Sequence, residues 1–75
     1  TVVDAKIVFT KALALKAASL ILCHNHPSGN LFPSQPDKNL TKKLADAGKM
    51  IDVMVLDHVI ITEQGYFSFA DEGLL

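Results

Sequence analysis

Behind Asp4, the apolar residues Val8, Ala12 and Leu15 recur at helical spacing, with Phe9 and Leu13 beside them and Lys6, Lys11 and Lys16 on the exposed side. This period predicts a helix over residues 4–17, with Asp4 as its N-cap. Residues 1–3 read as an extended lead-in. The run Ser19-Leu20-Ile21-Leu22-Cys23 is too short for a helix of its own and predicts a buried strand. It leads into His24-Asn25-His26 and then about ten residues of loop punctuated by Pro27, Gly29, Asn30 and Pro33. A second helix opens at Ser34-Gln35-Pro36-Asp37, with Leu40, Leu44, Ala47 and Ile51 on one face; Gly48 is a candidate for its end. Residues 53–62 are rich in β-branched side chains and predict a strand. Glu63-Gln64-Gly65 makes a turn, and residues 66–69 return as another strand. The order is helix, strand, loop, helix, strand, strand, which predicts a sheet covered by helices.

Seventy-five residues hold one small domain. The chain opens in a Val-rich stretch without Met and reads as part of a longer domain. Seven Lys face eight acidic residues and there is no Arg, so the net charge is −1. That balance excludes a strongly basic nucleic-acid footprint and the forked guanidinium common in phosphate recognition. One Cys excludes a disulfide framework and a multi-Cys metal site. No apolar run exceeds four residues and no signal peptide is evident, so the expected location is the cytoplasm, away from membranes.

The candidate chemistry lies at the end of the first strand. Side chains at i and i+2 of a strand share a side, so His24 and His26 can offer two imidazoles to one metal. Asp37, at the start of the following helix, can return as a third ligand across the Gly/Pro loop. Two His and one carboxylate leave a position open, as in catalytic zinc sites. The same Ser34-x-x-Asp37 spacing also fits a helix capping box, with Asp in place of Glu or Gln. Cys23 alternates away from both His and is expected to be buried in the core. His58 is expected to be a hydrogen-bonded core residue on its strand, the alternative being to orient a ligating His. Pro27-Ser28-Gly29 shapes the loop, with Ser28 within possible reach of the site. Lys38, Lys42 and Lys43 are read as a solvated helix face.

The spacing His24-x-His26, seven residues, Ser34, two residues, Asp37 resembles the JAMM motif of JAB/MPN domains. With Pro27-Ser28-Gly29, Thr41, Ala47-Gly48 and Leu56-Asp57-His58-Val59-Ile60-Ile61, the chain is similar to the RadC family of these domains. The resemblance covers essentially the whole chain. It implies a three-layer α-β-α, cytidine-deaminase-like fold, here without its N-terminal strands. It implies one zinc ion per chain held by His24, His26 and Asp37, with Ser34 steadying the bound water or an oxyanion. The implied activity is hydrolysis of a peptide or isopeptide bond. Such enzymes also use a Glu as general base, well upstream of the His pair. The only Glu residues here are Glu63 and Glu72, both downstream. The alternatives are a DNA-repair-associated role without catalysis, the traditional label of RadC proteins, and an inactive scaffold. Neither the residues nor the resemblance indicates an oligomeric state.

Overall fold

The computed structural model describes residues 4–26 and 29–75. The extended lead-in expected over residues 1–3 lies outside them, as do Pro27 and Ser28. The first helix, α1, is Ala5–Ala14. Asp4 caps it, its carboxylate accepting the Lys6 N–H at 2.8 Å. The helix stops three residues before its expected end. Lys16 turns into the left-handed region at φ 54°. The Lys16 N–H then reaches the Leu13 carbonyl and the Ala17 N–H the Ala12 carbonyl, at 3.0 and 2.9 Å. These two bonds make a Schellman closure, with Lys where Gly is usual.

Strand β1 (Ser19–Asn25) runs parallel to β2 (Met54–Thr62), and β3 (Gly65–Ser68) returns antiparallel to β2, giving the sheet order β1-β2-β3. The α/β class read from the sequence is the observed one. Parallel neighbours need a crossover, and helix α2 (Gln35–Met50) supplies it. The helix runs two residues beyond Gly48 and closes as α1 does: Asp52 is left-handed at φ 58°, and the Val53 N–H binds the Gly48 carbonyl at 2.8 Å. Gly48 is buried because the chain folds back over it; a Cβ there would collide with the Val53 carbonyl.

The core lies between the sheet and α2, built on Leu44, Val53, Val55, Ile60 and Phe69, with Ala12 from α1. Burying a side chain such as Leu44 or Phe69 contributes about 1.5–3 kcal/mol each. On α2 the buried residues are Thr41, Leu44 and Gly48, whereas Ile51 is exposed. The strands alternate as expected, but the described residues cover only one face. Leu22 and His24 pair with His58 and Ile60 on the inner face. Ile21, Cys23 and Ile61 lie on the other face and are exposed. Cys23 is therefore not the core residue that alternation away from the histidines suggests. Alternation does point it away from His24, but the core is on the histidine side. Among the described residues, no helix is long and apolar enough to cross a membrane.

Candidate metal centre

The carboxyl ends of β1 and β2 and the first turn of α2 meet at one edge of the sheet, the end at which α/β folds commonly place ligands. His24 is in the last turn of pairing of β1 with β2, opposite Ile60, and His26 follows the strand, its N–H bound to the Ile61 carbonyl at 3.1 Å. Their rings lie 4.7 Å apart between centroids. Asp37 is the third residue of α2. The capping box is fully formed: Ser34 Oγ accepts the Asp37 N–H at 3.2 Å, and Asp37 Oδ2 accepts the Ser34 N–H at 2.9 Å. This box fixes the carboxylate in front of the histidines. Asp37 Oδ1 is 3.8 Å from His24 Nε2, and Asp37 Oδ2 is 3.2 Å from His26 Nε2.

His24, His26 and Asp37 each offer one ligand atom, all within 4.8 Å of one another. Two atoms bound tetrahedrally at ~2.0–2.1 Å are about 3.4 Å apart, so the 3.8 and 3.2 Å separations of the two imidazoles from Asp37 need little adjustment. The set of two imidazole nitrogens and one carboxylate oxygen suits zinc. Hydrogen bonding strengthens the fit. His26 Nδ1 is 2.8 Å from the Asn30 carbonyl, which can only accept, so Nδ1 carries the proton. That leaves Nε2 as the His26 nitrogen facing the Asp37 carboxylate, so a cation placed between them would meet one nitrogen and one oxygen donor.

Burial holds the His24 imidazole below its ordinary 6.5, with the facing His26 adding to the effect and Asp37 opposing it. Burial pushes Asp37 up, but the bonds from Ser34 and the charges of His24 and His26 outweigh it and hold the carboxyl below 3.8. Both directions favour the unprotonated forms that bind metal.

His58 is 2% exposed and stacks on Phe69 at 4.6 Å with the rings 7° apart. It is hydrogen-bonded, as expected, and also touches the site: its Nε2 is 2.7 Å from His24 Nδ1, and its Nδ1 is 2.5 Å from Thr41 Oγ1. Thr41 belongs to the stretch that resembles the RadC family, and the sequence gives it no role. Its signal was its place four residues after Asp37, but its link to His58 depends on tertiary register. Asp57 points elsewhere. It accepts hydrogen bonds from the Ser68 hydroxyl at 2.6 Å and from the His58 and Ala70 N–H groups at 2.7 and 3.0 Å, pinning the end of β3 to β2. Glu63, in the hairpin turn, lines a cavity of about 590 Å³ with Asn25, His26 and Gly29. Ser28 lies outside the described residues.

Residues 1–74 match the family model described as RadC-like JAB domain. A UPF0758 protein of Flavobacterium johnsoniae is 58% identical over 74 residues, covering 99% of this chain and 32% of the relative. UPF0758 proteins of Pseudomonas syringae pv. tomato and Thermotoga maritima are 54% and 46% identical, each over 68 residues, covering 91% of this chain and 30% and 31% of the relatives. The chain spans about a third of the length of the curated relatives it matches. A motif at the required spacing, a site assembled at the strand ends and a match along nearly the whole sequence lead to one conclusion: the chain belongs to the RadC-like JAB domain family.

Proposed function

We propose that this chain carries the metal-binding part of a zinc-dependent hydrolase acting on peptide or isopeptide bonds. One observation carries the reading: His24, His26 and Asp37 converge from β1, its following residue and α2, with both histidine Nε2 atoms facing the Asp37 carboxylate. Zinc held by these three residues would supply Lewis acidity, acidifying a water and polarising the scissile carbonyl. Ser34 Oγ accepts the Asp37 N–H, and its hydroxyl also bonds the Asp37 carboxylate; in the proposed reaction that hydroxyl would turn to a developing oxyanion. General-base assistance is worth ~10²–10⁴-fold in rate. The family resemblance implies a Glu as that base, and we assign the role to neither Glu63 nor Glu72, which lie downstream of the His pair. The charge balance supports neither a DNA-binding surface nor nucleic-acid substrates.

Calorimetric titration with zinc tests the site. The expected stoichiometry is one ion per chain, with binding greatly weakened in His24→Ala and Asp37→Ala. Chelator-sensitive cleavage of a peptide or isopeptide by the full-length protein tests the reaction. Undiminished binding by both variants would refute the ligand set. Zinc binding without cleavage of any such bond would refute the hydrolase.

A further inference from the structure

We infer that Thr41 and His58 form a proton-ordered relay that fixes the tautomer of His24 and aims its Nε2 lone pair at the metal position. The relay deepens the metal-site reading and names two positioning residues for it. The order follows from a group that cannot donate. Thr41 Oγ1 lies 2.8 Å from the Asp37 backbone carbonyl and gives it its only proton. Toward His58 Nδ1, 2.5 Å away, Thr41 can then only accept, so that nitrogen bears the hydrogen. A neutral imidazole carries one N–H, which leaves His58 Nε2 bare. His24 Nδ1, 2.7 Å from it, must donate. The lone pair of neutral His24 is therefore on Nε2, the atom facing Asp37.

The relay concerns His58 in its neutral form. The near-parallel stack on Phe69 holds its ring plane. His26 reaches the same tautomer directly, through the Asn30 carbonyl. His24 faces the sheet interior, and two side chains carry the instruction from α2 instead. Asp37 thus contributes twice: its carboxylate faces the site, and its carbonyl orients the relay.

The test is long-range ¹H–¹⁵N correlation of the histidine rings in the metal-free protein, above the ordinary histidine range so that all three are neutral. His24 and His58 are both expected as Nδ1–H tautomers. Thr41→Val, close in size, is expected to leave the fold intact while His24 shifts to a tautomer mixture. His58→Phe keeps the stack and removes the acceptor. It is expected to lower zinc affinity ~10–100-fold, with partial recovery in His58→Gln, whose amide both accepts and donates. A proton on His24 Nε2 in the unaltered protein overturns the relay. So does a His24 spectrum unchanged in Thr41→Val, which decides the matter even where His58→Phe fails to fold. Zinc binding by a protein whose His24 carries Nε2–H refutes the relay alone. The expected tautomers with no zinc binding refute the metal reading and leave the relay standing.

Discussion

Asp37 meets two demands with one carboxylate. Its Oδ2 accepts the Ser34 N–H and also faces His26, while Oδ1 faces His24. A carboxylate has about four lone-pair positions, enough for a capping bond and a metal. The capping box and the metal site were alternatives on sequence spacing alone; in the folded chain the box positions the side chain for the site. Ser34→Ala removes the capping oxygen but keeps the N–H that holds Asp37. The expected cost is ~1 kcal/mol of stability, read by chemical denaturation. Turnover of the full-length protein is expected to fall ~10²–10³-fold through loss of an oxyanion donor. Loss of stability without loss of turnover would confine Ser34 to its cap. The three candidate ligands were legible because strand alternation and a three-residue cap are local rules. The link between Thr41 and His58 was not, because it depends on how α2 lies over β2.

Helix and strand identities followed from periodicity, but their ends followed it less well. The usual Gly signal is missing from both helix closures. Lys16 and Asp52 occupy the left-handed positions at φ 54° and 58°, so α1 stops early and α2 passes Gly48. Gly48 reads as a helix stop in sequence, yet its function is close approach to the Val53 carbonyl. Lys16 is exposed, and an L-residue in that conformation costs ~1–2 kcal/mol, against ~0.4–1 kcal/mol of extra unfolded-state entropy for Gly. Lys16→Gly is therefore expected to raise stability by about 0.5–1 kcal/mol, seen as a higher denaturation midpoint with an unchanged slope. A lower midpoint would show that the Lys16 side chain stabilises the closure in another way. The β2–β3 hairpin was easier to place, because its two-residue turn falls where the β-branched run ends.

Across the molecule, the sheet has a chemical face and a bare one. The inner face carries Leu22, His24, His58 and Ile60; the outer carries exposed Ile21, Cys23 and Ile61. Alternation tells which residues share a face, but not which face is covered, and that is why Cys23 was misplaced. The buried and half-buried titratable groups also give stability a direction with pH. Asp57 is pushed up by burial but held below 3.8 by bonds from Ser68, Ala70 and His58, and Asp37 is also held below it. What these two contribute is present above 3.8 and lost as pH falls through their lowered values. His24 and His58 lie below 6.5, chiefly through burial. Below 6.5 the unfolded chain takes up protons at both before the folded chain does. Without metal, stability is thus expected to be level above the histidine range, to fall as pH drops past 6.5, and to fall further below 3.8. Denaturation curves across that range check this; stability rising on acidification from 8 to 5 would contradict it. The most direct test of the central claim is an anomalous difference map at the zinc edge from crystals grown with zinc. The expected result is one peak per chain, within ~2.0–2.2 Å of His24 Nε2, His26 Nε2 and an Asp37 carboxylate oxygen. A peak elsewhere, or one that leaves out Asp37, would contradict the account.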